Sequence, residues 1–229
     1  MNLNKNHIII FLGPPGSGKG SLSKLCVDRL GWAQFSTGDL LRIHITNKTN
    51  LGKKIDFIIK SGKLISDALI SDMVKDWLLK EMLAKSVVIL DGFPRTKNQA
   101  LALNKILKST NLNKSDLIVV KLEISDDALI LRLLSRVICQ NIKCQAVYSL
   151  NKELGLASEQ DNICSLCSSP LIKRSDDELN SIIDRLKIYH QHEHEILEVF
   201  KNSGIKVIDL NADNPIEVVY KNLVTKLNI

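Results

Sequence analysis

The sequence predicts an α/β fold: a three-layer α/β/α domain on a parallel five-stranded sheet. Three observations lead there. The runs Ile8-Ile9-Ile10-Phe11-Leu12, Val87-Val88-Ile89-Leu90 and Leu117-Ile118-Val119-Val120-Lys121-Leu122 are almost continuously apolar, as strands buried on both faces must be. Segments of helical periodicity separate them, so consecutive strands are joined by right-handed crossovers and run parallel. The first run ends in Gly13-Pro14-Pro15-Gly16-Ser17-Gly18-Lys19-Gly20-Ser21 and passes into a helical pattern at Leu22, Leu25, Cys26 and Arg29.

Strand, glycine-rich turn, lysine and helix is the order of a P-loop phosphate cradle. Glycines let successive N–H groups point inward at an anion, and the helix N-terminus adds unpaired donors and partial positive charge. Lys19 would reach the β- and γ-phosphates, and the Ser21 hydroxyl would ligate Mg²⁺. Gly20 interrupts the usual pattern by standing between Lys19 and Ser21. The alternative is an ordinary glycine turn; its position between strand and helix favours a nucleotide site.

Composition sets the outer bounds. The 229 residues are 45% hydrophobic and 24% charged, which suits one packed α/β domain with inserted subdomains and argues against disorder. The net charge of +6 suits polyanionic ligands. No basic run reads as a nucleic-acid tail, and three Tyr, two Trp and five Phe form no stacking platform, so no nucleic acid is expected. Ile8–Leu12 is too short to cross a membrane and lacks the flanks of a secretory leader, so the expected location is cytoplasmic with no membrane partner. Five cysteines in a reducing compartment argue for metal ligation or free thiols over disulfides.

Gln34-Phe35 reads as a short strand closed by Ser36-Thr37-Gly38-Asp39, with Thr37 or Asp39 capping the next helix. Leu51 to Ile59 reads as a short helix ended by Ser61-Gly62. Ser66 caps a long helix whose Leu69, Ile70, Met73, Val74, Trp77 and Leu78 follow helical spacing. Another helix covers Lys97 to Lys108. Ser125-Asp126-Asp127 caps a helix expected to bury Leu129, Ile130, Leu133, Leu134 and Val137, which would put Arg132 and Arg136 on one polar face. From Cys139 to Lys173 periodicity fails, and the segment reads as a loop-rich insert. Ser175-Asp176-Asp177-Glu178 has capping-box spacing ahead of a helix with Leu179, Ile182, Ile183 and Leu186 in its apolar stripe. Ile205 to Ile208 is the last strand and Ile216 to Leu227 the closing helix. His190, His192 and His194 alternate along one helix and read as solvated, and Cys26 reads as a core thiol.

Asp91 ends a buried parallel strand, where ligands of open α/β sheets collect, and can hold Mg²⁺ against the phosphates or simply cap a helix. Arg42, Arg95, Arg132, Arg136, Arg174 and Arg185 each stand at the edge of an element. A single exposed arginine says little, but the set suits phosphoryl transfer, where many negative charges meet and the protein mainly positions and stabilises them. No general-base candidate stands out.

The motifs Gly13-x-Pro15-Gly16-x-Gly18-Lys19-Gly20, Ser36-Thr37-Gly38-Asp39-Leu40-Leu41-Arg42, Gly62-Lys63-Leu64-Ile65-Ser66-Asp67 and Asp91-Gly92-Phe93-Pro94-Arg95-Thr96 occur in the order seen in adenylate kinases. Arg132-x-x-x-Arg136, Arg174-x-Asp176-Asp177 and Arg185-Leu186 continue the match over nearly the whole chain, which thus resembles the long-lid form of that family.

The resemblance implies a core domain (1–36, 67–135 and 177–229), a nucleoside-monophosphate-binding flap (37–66) and a lid (136–176). It implies reversible, Mg²⁺-dependent transfer of a phosphoryl group from ATP to AMP by a monomer. Gly16, Ser17, Gly18, Lys19, Gly20 and Ser21 would bind the ATP phosphates with Asp91 on the metal, and Arg132 would pack on the ATP adenine. Arg136, Arg174 and Arg185 would surround the transferring group. Arg42 and Arg95 would hold the phosphate of AMP, whose adenine would be read by Thr37, Gln99 and the backbone about Leu64 and Ile65, with Gly92 beside them. Cys139, Cys144, Cys164 and Cys167 match the ligands of a structural lid Zn²⁺, free thiols or an eroded site being the alternative. Cys139-x4-Cys144 is two residues wider than the family pattern, Val137 and Ser135 stand where relatives have Arg and Gly, and an Asn-Pro-Pro stretch is missing. The competing readings are a UMP or CMP kinase, GTP as donor, and a nucleotide switch without catalysis. The cysteine-bearing lid and Gln99 speak against the first, and the six arginines against the last.

Overall fold

Strand β1 (His7–Leu12) lies at the centre of a five-stranded, all-parallel sheet of order β2-β3-β1-β4-β8, with β2 (Ala33–Ser36), β3 (Val87–Asp91), β4 (Leu117–Glu123) and β8 (Lys206–Asn211). The computed structural model describes residues 7–60, 65–82, 84–109, 117–154, 156–174 and 176–229. The expected helix end at Ser61-Gly62 and the Gly62-Lys63-Leu64 motif lie outside them.

Because side chains alternate across a strand, each apolar run feeds two cores. Ile8, Ile10, Leu12, Val88, Leu90, Leu117 and Val119 face one side. There they meet α4 (Asp67–Glu81), α5 (Lys97–Ser109) and α7 (Leu179–Asn202) through residues such as Val74, Leu78, Leu103 and Phe200. Ile9, Phe11, Ile89, Ile118 and Val120 face the other side. They pack on α1 (Lys19–Leu30) and α8 (Ile216–Leu227) through Leu22, Cys26, Val219 and Leu223. Covered faces explain why the runs carry no polar alternation. Cys26 is fully buried in this second core, as a core thiol should be.

Strand order reverses about β1, so the carboxyl ends of β1, β2, β3 and β4 open onto one crevice. Two insertions flank it. The first is a helical hairpin, α2 (Thr37–Thr46) and α3 (Asn50–Lys60). Its cap is Ser36, whose Oγ accepts from the Asp39 amide at 3.4 Å, and not the expected Thr37 or Asp39. Thr37 instead turns inward and donates from Oγ1 to the Gly92 carbonyl. Ser66 and Ser125 cap α4 and α6 (Asp126–Leu134) as expected.

The second insertion holds an antiparallel sheet of order β6-β5-β7, with β5 (Arg136–Cys139), β6 (Val147–Ser149) and β7 (Leu171–Ile172). Two expectations are corrected here. Arg136 does not share a helical face with Arg132, because α6 stops at Leu134. Ser135 turns its hydroxyl onto the Leu131 carbonyl at 2.8 Å, its own carbonyl accepts from Leu150 N, and the β-branched pair Val137-Ile138 continues as strand. Leu134 is consequently 39% exposed, while Val137 is buried from the strand. The capping box before α7 is not made: Glu178 is the N-cap without a side-chain bond, and Ser175 lies outside the described residues.

Candidate active site

The glycine loop closes the carboxyl end of β1. Gly16 (φ 85°) and Gly18 (φ 91°) occupy left-handed conformations that favour glycine, and Gly18 is the N-cap of α1. Lys19 opens that helix and folds back over the loop, its Nζ donating to the carbonyls of Gly13 (2.7 Å) and Pro14 (2.8 Å) and to Ser17 Oγ (3.3 Å). Burial lowers the Lys19 pKa to about 8; Asp91 opposes this, while Arg95, Arg185 and Arg136 reinforce it. Asp91, at the end of β3, abuts the same loop: a Cβ built on Gly20 would stand 3.5 Å from Asp91 Oδ2. Burial raises the Asp91 pKa against the pull of Lys19, and Gln34 Nε2 donates to Oδ2 at 3.2 Å. Gln34 was not singled out from the sequence, since a lone glutamine in a short strand carries no signal.

The turn after β3 positions Arg95. Its Nε donates to the Gly92 carbonyl at 2.9 Å and its backbone amide to Gln99 Oε1 at 2.8 Å. Gln99 Nε2 donates in turn to Asp67 Oδ1 (2.7 Å), and Thr96 Oγ1 to Asp67 Oδ2 (2.9 Å). Gln99 is therefore 6% exposed and held in place, and Thr37 is 4% exposed beside Gly92. Asp67, the last residue of the Gly62–Asp67 motif, to which the sequence assigns no role of its own, is the hub of this network. On the helical hairpin, Arg42 pairs with Asp39 and donates from Nε to Gln145 Oε1 of the cysteine-bearing insertion at 3.1 Å. Ile65 packs against the first core, and Leu64 lies outside the described residues.

Three further arginines converge on adjacent carboxylates. Arg136 grips Asp177 with two bonds, Nε to Oδ2 (2.7 Å) and Nη2 to Oδ1 (2.5 Å). Arg174 grips Asp176 the same way at 2.8 Å and 2.8 Å. Arg185 Nη1 reaches the Asp176 carbonyl (2.8 Å) and Asp177 Oδ1 (3.3 Å). These guanidiniums feel the core site: desolvation lowers the Arg95 pKa, Asp91 opposes, and Arg185, Arg42 and Arg174 push it down further. The fold thus gathers Lys19, Arg42, Arg95, Arg136, Arg174 and Arg185 into one electropositive field. Arg132 stands apart, its Nη2 donating to the carbonyls of Asp213 (3.1 Å) and Asn214 (3.4 Å) ahead of α8.

Known sequences decide the family. The family profile described as adenylate kinase matches residues 11–205. The adenylate kinases of Thermosipho africanus and Archaeoglobus fulgidus are each 35% identical over 94% of this chain, covering 96% and 95% of their own lengths. That of Chlamydia trachomatis is 36% identical over 96% of this chain and 89% of its own. The chain belongs to the adenylate kinase family.

This member of the adenylate kinase family carries a four-cysteine cluster in its second insertion. The sulfurs of Cys139, Cys144, Cys164 and Cys167 all lie within 4.8 Å of one another, with Cys139–Cys167 at 3.4 Å and Cys144–Cys164 at 3.7 Å. A tetrahedral ion with bonds of about 2.3 Å to sulfur separates its ligands by about 3.8 Å, so the set can hold a metal ion. The wider Cys139–Cys144 spacing is absorbed by a turn on Asn141, whose carbonyl accepts from the amides of Cys144 and Gln145, both at 2.9 Å. Asn141 Nδ2 also approaches Cys167 Sγ (3.8 Å), and the Tyr148 hydroxyl lies 3.4 Å from Cys164 Sγ. Hydrogen bonds from Ser169 lower the Cys167 thiol to about 6. Ala146, Tyr148 and Leu171 pack on the sulfurs and form a small cluster with them.

Proposed function

We propose that the crevice transfers the terminal phosphoryl group of ATP to AMP, reversibly, giving two ADP. The observation that carries this reading is the convergence of Arg95, Arg136, Arg174 and Arg185 with Lys19 and Asp91 at the carboxyl ends of the parallel strands. Phosphoryl transfer between two nucleotides asks for positioning and charge stabilisation, which this field supplies.

The loop amides of Gly16, Ser17, Gly18, Gly20 and Ser21 together with Lys19 bind the ATP phosphates. Arg132, anchored to the carbonyls of Asp213 and Asn214, offers its guanidinium plane to the ATP adenine. Arg42 and Arg95 take the AMP phosphate, while Thr37, Gln99 and the backbone of Ile65 border its base, with the Gly92 carbonyl beside Thr37; Leu64, expected with them, lies outside the described residues. Arg136, Arg174 and Arg185 surround the group in flight. Asp91 and the Ser21 hydroxyl would hold Mg²⁺, which accompanies ATP and neutralises phosphate charge. Zn²⁺ is the ion best suited to four thiolates; at Cys139, Cys144, Cys164 and Cys167 it would staple the lid and take no part in the chemistry.

Residues 37–66 act as the monophosphate flap and 136–176 as the lid, moving against a core of 1–36, 67–135 and 177–229. The protein works as a cytoplasmic monomer. No helix among the described residues is long and apolar enough to cross a membrane. Formation of two ADP for each AMP consumed with Mg-ATP tests the reading. No ADP from folded protein that still binds ATP would overturn it.

A further inference from the structure

Gln145 follows the cysteine Cys144 directly and has a left-handed backbone, φ 46°, a conformation that glycine adopts at lower cost. Its backbone is tied to the turn between Cys139 and Cys144, a cysteine knuckle, by the bond from its amide to the Asn141 carbonyl. Its side chain is tied as well: Nε2 donates to the Ile142 carbonyl at 3.0 Å. With the nitrogen committed to a carbonyl, Oε1 is the free acceptor, and it receives Arg42 Nε at 3.1 Å from across the crevice. Arg42 also gives a terminal nitrogen to Asp39, so its guanidinium is held from two sides and its remaining donors are directed elsewhere. An ordinary turn residue would need neither the backbone cost nor the long-range contact.

We propose that Gln145 is a positioning residue for the acceptor nucleotide: when the lid closes, it fixes the Arg42 guanidinium in the orientation that receives the acceptor phosphate. This rests on the reading of Arg42 as a clamp for that phosphate. Lid closure and acceptor binding are then coupled through one hydrogen bond. The knuckle is the rigid base that makes the bond worth making, because a loose turn could not hold an amide at a fixed height above the flap.

The test compares steady-state kinetics of the full-length wild type, Gln145→Gly, Gln145→Asn, Arg42→Ala and the Arg42→Ala/Gln145→Gly double variant. Glycine suits the positive φ, and asparagine tolerates it while being one methylene too short to reach Arg42. Both variants should keep the wild-type melting temperature and metal content and raise KM for AMP by about three- to tenfold, with kcat and KM for ATP within about twofold. Arg42→Ala should raise KM for AMP further, and adding Gln145→Gly to it should change nothing more. If Arg42→Ala raises KM for AMP but the Gln145 variants do not, Gln145 is not a positioning residue. Additive effects in the double variant would overturn the route through Arg42. An unchanged KM in Arg42→Ala would remove the clamp reading and the proposal with it.

Discussion

Asp177 holds Arg136 by a two-pronged ion pair and offers the same Oδ1 to Arg185, its side chain only 3% exposed. One carboxylate therefore sets the spacing of two guanidiniums whose like charges would otherwise drive them apart. Arg174 and Asp176 repeat the arrangement one step away. In the proposed phosphoryl transfer these arginines are thus held by protein groups before phosphate charge arrives, which is where electrostatic catalysis gains most.

Arg136→Ala tests that role. Removal of one preorganised donor to a developing charge typically lowers kcat by about 10²–10³-fold. The single-turnover rate should fall by that order, whereas the Kd for ATP should change by less than about tenfold. Equal losses in both would make Arg136 a ground-state binding residue.

The proposed role of Lys19 at the ATP phosphates predicts that nucleotide binding is pH-dependent. Burial holds its pKa at about 8, below the unfolded value of 10.5. Between those values the unfolded chain binds more protons than the folded one, so this group favours folding increasingly as pH rises through the window. A bound polyphosphate favours the ammonium and raises the pKa again. Calorimetry of ATP binding at pH 8.5, in buffers of different ionisation enthalpy, should report uptake of about half a proton or more that Lys19→Met lacks. Equal uptake by both proteins would contradict the assignment.

Gly52 lets the two flap helices touch. A Cβ there would overlap the His44 carbonyl oxygen and approach the Ile45 amide at 2.8 Å, both backbone atoms that cannot swing aside. Gly52→Ala should pry α2 from α3 and displace Arg42, raising KM for AMP by about tenfold or more while KM for ATP stays near wild type. The unchanged core should keep the melting temperature within a few degrees. A wild-type KM for AMP would show that the hairpin relaxes without moving the clamp.

What the sequence made legible follows from the range of each interaction. Val87–Leu90 reads as a strand because burial on both faces leaves its mark on every residue, and Ser66 and Ser125 read as caps because capping is local. The glycine loop and the Arg95 turn are contiguous motifs and were equally plain. Arg136 reads as helical by periodicity alone, whereas α6 stops at Leu134 with Ser135 as its C-cap, a boundary that periodicity does not register. The three strands of the lid sheet have two to four residues each, too few to express alternation. Asp176 and Asp177 read only as members of a capping-box segment and of a motif, since their pairing with Arg136, Arg174 and Arg185 is tertiary. The hub at Asp67 and the contact between Arg42 and Gln145 are likewise tertiary, and the latter joins residues 103 positions apart.

The cysteine cluster predicts one equivalent of zinc per chain in a thiol-protected preparation, measured by plasma emission spectrometry. Chelation, or Cys167→Ser, should leave residues 140–170 open to limited proteolysis at protease levels the loaded protein withstands, because the apolar cluster around the sulfurs is small. Less than about half an equivalent, with unchanged protease resistance, would mean that thiol packing alone holds the lid.

The most direct measurement is phosphoryl transfer from Mg-ATP to AMP, CMP, UMP and GMP in turn, read as kcat/KM for each acceptor. The proposed base pocket, bordered by Thr37 and the fixed amide of Gln99, predicts a preference for AMP of at least about a hundredfold. Comparable or better turnover with a pyrimidine monophosphate would contradict the acceptor assignment. No turnover with any acceptor, in folded protein that binds ATP, would contradict the account of the site as a phosphoryl-transfer centre.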